Sequence, residues 1–490
     1  DTNISSSENS ASLISGSDYV GGLTGFSFGG SISTSVNKGT KVTGANYVGG
    51  ISGRKDWGSI TGVAGTVTNT AEVAGTGNYV GGIVGEITSY SAVSVVSNSG
   101  KVSGVNCVGG IIGRRIRLSD ENLIQYESDA SCAINGFVNS CEVSGTNYVG
   151  GIIGYTNAPT NFTNCSNQNS VSGTNYVGGI IGCVANKTTI TNSANNASVS
   201  GSQYVGGLVG GLDAGLLTIT KSSNQYGISG TKFVGGVLGG VIASQASDNC
   251  AIAISGCYNT QNVTATGNVA GIFGGVLNDN EYVTITISKS YNTGEIKSTG
   301  SGNAGGIAGR AYSKYHDDKS IHIYKCYNTG KVHDTGANGD SVGGIVGYVY
   351  MDDNKGQDAN AEAVVVEYCY NYAEISASKL AGGIVGSGST TGYFTIRYCY
   401  TTIDDDHNVT GGGAILGGVF NGDDSSHFVE QNSWAFYTDN YVNLVNGHNT
   451  GAGVYGAYLL VDFQKNVYPV IDDATTSTDW TRIIEKNITA

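Results

Sequence analysis

The stretch Tyr176–Gly201, YVGGIIGCVANKTTITNSANNASVSG, decides the fold. It holds three short runs of strand-forming residues, YVGGIIG, KTTITN and ASVSG, each bounded by Asn, Gly or Ser. The first run recurs along the chain. It opens at Tyr19, Tyr47, Tyr79, Tyr148, Tyr176 and Tyr204, with Cys107 and Phe233 filling the tyrosine slot of two more copies. Degenerate copies at Val269–Gly274, Ala304–Gly309, Val342–Gly347, Ala381–Gly386 and Gly413–Gly417 bring the count to thirteen. The period is 28 residues at its shortest, from Gly150 to Gly178, and 41 where an insertion intervenes, from Gly109 to Gly150. A unit this short cannot bury an apolar face alone, so neighbouring units must stack. The repeat therefore predicts an all-β chain: a single elongated right-handed parallel β-solenoid of about thirteen coils over residues 1–417, with roughly three short strands per coil. Coils one strand spacing apart, about 4.8 Å, make a rod roughly 60 Å long.

Composition agrees and removes rivals. Of 490 residues 78 are glycine, more than twice the usual share of roughly 7%. Collagen needs a triplet period and abundant proline, and this chain has two prolines. A flexible linker would not carry 39% hydrophobic residues, and glycine costs a helix about 1 kcal/mol per position. The net charge of −14 would repel phosphate backbones, which argues against nucleic acid as a partner. No apolar run is long enough to span a membrane. The chain opens on polar residues from Asp1, as a mature secreted product would.

Three slots of the repeat carry the detail. In Val80-Gly81-Gly82-Ile83 the apolar residues are three apart, which a straight strand would send to opposite faces. Both point inward if the glycine pair forms a bulge or corner using positive φ; the alternative is a strand buried on both sides. Ten asparagines (Asn69, Asn98, Asn139, Asn167, Asn195, Asn224, Asn259, Asn292, Asn328 and Asn371) each precede a Val or Ile by four. They read as an amide ladder at a turn in left-handed conformation, or else as a ligand-binding row. Two residues earlier, Cys165, Ser193, Ser222, Cys257, Ser290, Cys326, Cys369 and Cys399 read as a buried column of free thiols and hydroxyls. Better disulfide candidates are Cys132 with Cys141 and Cys250 with Cys257; no C-x-x-C pair signals zinc or redox chemistry.

YVGGIIG followed by a polar strand and then NCSNQNSVSG or KCYNTGKV resembles the GLUG repeat, found in bacterial surface adhesins and beside the peptidase module of some immunoglobulin A1 proteases. The resemblance covers roughly residues 10–417. It implies an extracellular solenoid with a surface or stalk role, whose repeats are not themselves catalytic. Ala270, Ala304, Ala381 and the segment around Gly413 depart from the pattern.

Signals for chemistry are sparse. Gly25-Phe26-Ser27-Phe28-Gly29 matches a nucleophile elbow without the helix that motif needs, and Gly300–Gly305 spells G-x-G-x-x-G without a strand and helix around it. The six histidines form no zinc peptidase motif. Calcium is the one cofactor with candidates: Asp352, Asp353 and Asn354 with Gly356 and Asp358, then Asp404, Asp405 and Asp406, then Asp423 and Asp424. None shows EF-hand spacing, and solvated acidic loops are the plainer reading. The segment Arg114–Asp129, with Arg114, Arg115, Arg117, Asp120, Glu121, Glu127 and Asp129, reads as a lateral contact loop. Thr188-Thr189-Ile190-Thr191 and Thr218-Ile219-Thr220 hint at a flat threonine face that neighbouring coils do not continue.

Residues 418–490 leave the repeat and read as a cap on the last coil or an assembly segment that docks on the next molecule. The resulting expectation is a non-catalytic extracellular structural or adhesive protein at a cell surface, able to polymerise head to tail. Its partners would be itself, or glycans or proteins of a host or neighbouring cell. The alternatives are a glycan-binding or carbohydrate-processing β-helix, or the stalk of a secreted enzyme whose catalytic module lies outside this chain.

Overall fold

The computed structural model describes residues 3–62, 66–117, 132–242, 250–277, 283–313, 319–336, 340–351, 362–390, 394–403, 409–413, 415–417, 428–431 and 434–437. Among them every regular element is a β-strand, and strands of successive coils pair in parallel. One coil runs Ile181–Val184, Thr188–Thr191, Ala194–Asn195, Val199–Ser200 and Gln203–Gly206, so each coil has five short strands rather than three. Their stacks are lettered here as ladders A to E. Ladder A holds twelve strands, from Thr24–Phe28 to Val385–Thr390, and so encloses eleven turns. The expectation of thirteen coils is slightly high: among the described residues the copy at Gly413–Gly417 adds no further strand to ladder A, joining through strand Val409–Gly413, a bridge from Leu416 to Val385, and the amides of Ile384 and Val385 donating to Ile415 O. Ladders D and E merge into one sheet of 24 strands.

The glycine pair is a corner. In YVGGIIG, Asn175–Gly178 belongs to ladder E and Ile181–Val184 to ladder A, with the chain turning at Gly179-Ile180. Val177 and Ile180 both have no exposed surface, which settles the choice against a straight strand. The expected positive φ does not fall on the pair; it falls two residues before it, at Tyr19, Tyr47, Tyr79, Cys107, Tyr148, Tyr176, Tyr204 and Phe233, which all lie between 49° and 61°. Glycine is needed for closeness instead. A Cβ on Gly179 would overlap the carbonyl oxygen of Gly207 in the next coil and stand 2.6 Å from Asn195 Oδ1.

That contact explains the asparagines. Asn167 donates to Asn195 at 2.7 Å, Asn195 to Asn224 at 2.7 Å, and the row continues to Asn371. All ten are essentially without exposed surface and none has positive φ, so the row is an internal ladder on the glycine corner and not a turn or a ligand row. Asn37 joins it, donating to Asn69 and to Gly50 O at 2.8 Å each. It precedes Val42 by five, which hid it from the four-residue spacing. Around this ladder lie two apolar cores. The larger includes Ile83, Ile111, Ile152 and Ile180, and a narrower one between ladders D and E includes Val73, Val80, Val102 and Val108.

One seam interrupts the stack. Ladders B and C break between Ser91–Ser94 and Cys132–Asn135 and between Val96–Asn98 and Val138–Asn139, where segment 118–131 enters. Asn98 there donates to Cys141 Sγ at 3.1 Å instead of to Asn139. The buried Arg115 bridges the same level, donating to Ser89 O at 3.3 Å, Pro159 O at 2.8 Å and Thr160 Oγ1 at 3.0 Å.

All ten cysteines are free, and every one except Cys132 is buried. The two proposed disulfides are therefore not formed, and the sulfurs have other uses. Cys141 fills the gap in the asparagine ladder, while Cys250 Sγ points at Asp213 O and Cys257 Sγ at Ile219 O, 3.6 and 3.5 Å away in the preceding coil. Burial pushes the Cys165 thiol up to about 11 and those of Cys141 and Cys257 up to about 12. At pH 8 the native protein is expected to give at most one fast-reacting thiol with a chromogenic disulfide reagent, and all ten after denaturation. Three or more fast thiols in the native state would show that the column is open.

Candidate functional site

Ladder B presents the most regular outward surface. Ile190 and Ile219 face the core, so by alternation Thr189, Thr191, Thr218 and Thr220 face out. Register then extends the rows that composition obscured: Thr163, Thr191, Thr220, Ser255 and Ser288 stack in one, and Asn161, Thr189, Thr218, Ala253 and Thr286 in the other. The threonine face is continued after all, in Ser, Asn and Ala. Hydroxyls touch from rung to rung, Thr191 to Thr220 at 3.1 Å, Ser288 to Ser255 at 3.0 Å, and Thr61 to Ser94 at 2.7 Å before the seam.

At the next rungs the same face becomes charged. Ser288 is followed in register by Tyr324, Glu367 and Arg397, and Thr286 by His322. His322 Nε2 lies 2.9 Å from Glu367 Oε1, and its ring stacks on Tyr324 with centroids 4.2 Å apart. Arg397 donates to Glu367 Oε2 at 2.7 Å and to both carboxylate oxygens of Glu362 at 3.0 Å. Burial alone would raise the Glu367 carboxyl, but the hydrogen bonds from His322 and Arg397 outweigh it and hold the group at about 2. Such a carboxylate accepts and orients; it does not donate a proton near neutrality. Since the folded value lies below the usual 4.5, its stabilisation is present above that pH and is lost as pH falls toward 2. Arg397→Ala is expected to narrow that window, so that the acid-induced loss of melting temperature measured between pH 5 and 2 becomes smaller than in the parent chain.

Aromatic rows cover two other faces. Tyr148, Tyr176, Tyr204 and Phe233 stack nearly parallel beside ladder A at 4.9 to 5.4 Å, and Tyr258, Tyr291, Tyr327, Tyr370 and Tyr400 stack on ladder C at 4.8 to 5.1 Å. Rings packed face to face turn edges outward, so these rows do not offer sugar-stacking platforms. Near the first coils the side chain of Glu86 is fully buried between Arg54, 3.1 Å away, and Arg114, whose guanidinium lies 3.6 Å above the Tyr79 ring.

The sequence-derived candidates are dispersed. Asp352, Asp353, Asn354, Gly356 and Asp358, Asp404, Asp405 and Asp406, and Asp423 and Asp424 lie outside the described residues. Among the described residues no group of three or more His, Cys, Asp or Glu is placed to hold a metal ion. Arg114 and Arg115 belong to strand Ile112–Ile116 and not to a lateral loop, one paired with Glu86 and the other turned inward; Asp120, Glu121, Glu127 and Asp129 lie outside the described residues. Ser27 sits in strand Thr24–Phe28, buried, its Oγ accepting from the buried Lys55 Nζ at 3.0 Å. Gly300–Gly305 is a bend leading into strand Ala304–Gly305. The His322–Glu367–Arg397 cluster was not anticipated, because insertions place its members 45 and 30 residues apart and no fixed spacing advertises it. Among the described residues no helix is long and apolar enough to cross a membrane. Comparison with protein-family models, with curated proteins and with solved structures finds no match.

Proposed function

We propose that this chain is a non-catalytic extracellular structural or adhesive rod at a cell surface, of the GLUG-repeat type that its sequence resembles. One observation carries the reading: the residues that define the repeat are consumed by the stack itself. The glycine pair, the asparagine and the Cys/Ser slot all face inward, where they set the corner, the ladder and the column. A repeat so constrained specifies length and rigidity, leaving outward residues free to vary. Head-to-tail growth would use residues 418–490, within which Phe428–Gln431 and Trp434–Tyr437 add the final rungs to ladders B and C. Negative-stain microscopy should show filaments that disappear when 418–490 is deleted, and immunolabelling of intact source cells should decorate their surface. Unlabelled intact cells with label only after lysis would sink the extracellular reading.

The second reading, a carbohydrate-processing β-helix, draws on the His322–Glu367–Arg397–Glu362 cluster on one face. Turnover of any polysaccharide that Glu367→Gln abolishes, without loss of fold, would establish it over the first.

A further inference from the structure

We propose that the corner between ladders B and C binds an acidic polysaccharide, with one carboxylated or sulfated sugar seated over Gly256 between Lys221 and Lys289. The corner is a single column of left-handed residues. Asn164, Asn192, Lys221, Gly256, Lys289 and Lys325 occupy it in successive coils with φ between 48° and 63°, each held by its amide on a carbonyl of the next coil. Asparagine and glycine suit that conformation, and lysine brings charge to it. The charge stands apart from the rest of the chain. Although acidic residues outnumber basic ones by 38 to 24, the flanking strands contain no carboxylate, from Leu216–Thr220 to Ile321–Tyr324 on one side and from Ser223–Asn224 to Tyr327–Asn328 on the other. Repulsion from exposed carboxylates farther off is screened beyond about 8 Å at physiological salt, so the ammoniums decide what approaches. Lys325 registers their mutual repulsion: its own burial and the Lys289 ammonium one rung away hold it below its ordinary value, and Glu367 of the next coil offsets part of this. An anion at the corner relieves it.

Gly256 makes the seat. It leaves a gap between Lys221 and Lys289, which stand two rungs or roughly 10 Å apart. A Cβ on Gly256 would meet only Lys221, whose Cγ and backbone nitrogen are both 3.9 Å away, so the floor of the gap is open. Ser255 and Tyr258 flank it, one from each ladder. Ser255 Oγ accepts from Ser288 Oγ at 3.0 Å and the Tyr258 hydroxyl accepts from Gln225 Nε2 at 3.3 Å, which leaves each its own proton to donate. Two ammoniums and two hydroxyl donors around an open floor match a sugar that carries a negative group beside its hydroxyls. Single-stranded nucleic acid fits less well, because it binds by stacking bases on ring faces, and here Tyr258 and Tyr291 pack face to face at 5.0 Å with their edges outward.

The inference rests on the adhesive reading, for which it names a partner, and its test keeps the two apart. Titration calorimetry of the full chain should show binding of an oligogalacturonate or a sulfated dextran, weakening as salt rises tenfold, and no binding of neutral dextran; the tighter of the two anionic probes identifies the acidic group. Lys221→Gln combined with Lys289→Gln should weaken binding at least tenfold. Lys187→Gln combined with Lys232→Gln removes the same charge elsewhere and should change it less than twofold, while Lys221→Arg combined with Lys289→Arg should keep most of it. If the glutamine pair fails to fold by circular dichroism, Lys221→Gln alone serves in its place, with a loss of at least threefold. Three results overturn the proposal: neither anionic glycan binds the parent chain, both glutamine pairs weaken binding equally, or polyuridylate binds this corner more tightly than either glycan. A chain that labels the surface of intact cells yet binds neither glycan overturns it and leaves the adhesive reading standing. Binding through these lysines by a chain that labels only lysed cells supports the site and sinks the extracellular reading.

Discussion

Gly82→Val is expected to destroy the coil it sits in and loosen both neighbours, lowering stability by roughly 4 kcal/mol or more, beyond the common range for overpacking. The second glycine of each pair is enclosed by atoms that cannot retreat. A Cβ there would overlap the carbonyl oxygen of Gly110, which is backbone of the next coil, and the side-chain nitrogen of Asn98. That amide is itself fixed, donating to Gly100 O and to Gly110 O at 2.9 Å each. Relief therefore requires two coils to separate, and in a stack held by nearest-neighbour contacts this removes an interface on each side. Gly227→Ala is the matched control, since the nearest atom to its added carbon is Asn262 O at 3.8 Å, and its melting temperature should stay within about 2 °C of the parent, the shift of a surface substitution. Gly356→Val, in an insertion, should be tolerated likewise. Thermal unfolding by circular dichroism decides: a Gly82→Val chain melting with the parent would mean that the corner is roomier than described.

The same corner shows how much was legible in sequence. Val80 and Ile83, three apart and both apolar, pointed to a change of direction with a doubly buried strand as the alternative, and the stacking of coils follows from the period alone. Left-handed φ at Tyr79 was not legible, because an aromatic residue is a poor candidate for it and the glycine pair that begins two residues on is a good one. Five strands per coil escaped notice since Ala194–Asn195 and Val199–Ser200 are two residues long, too short to show alternation. The hydroxyl rows and the His322 cluster needed register. Insertions of unequal length separate residues that stack, so Ser255 and Ser288 or His322 and Glu367 become neighbours only once the coils are aligned. Cys141 illustrates the opposite error: an inserted segment that could bring Cys132 to Cys141 suggested a disulfide, whereas the broken asparagine ladder claims the sulfur.

Asn195→Asp should be the most revealing single change in that ladder. Asn195 accepts from Asn167 at 2.7 Å and donates to Asn224 Oδ1 and Ala197 O at 2.7 Å each, with no exposed surface. Alanine there would strand the donor above and the acceptor below, about 1–3 kcal/mol for each, and leave a small cavity. Aspartate keeps the shape but, ionised, donates nothing and faces the Asn224 carbonyl oxygen with a buried negative charge. Burial raises the folded pKa of the new carboxyl above its unfolded value near 3.9. A group raised on folding stabilises below its unfolded pKa, and that contribution is lost as pH rises through the folded pKa. The variant should therefore approach the parent near pH 3.5, where the protonated acid can donate to Asn224, and fall well below it by pH 7. This trend is opposite in sign to that of Glu367, whose stabilisation fades as pH falls. Melting curves of parent and variant at the two pH values measure both effects together, and an Asn195→Asp chain whose deficit is the same at each would show that the amide ladder is held by packing and not by its hydrogen bonds.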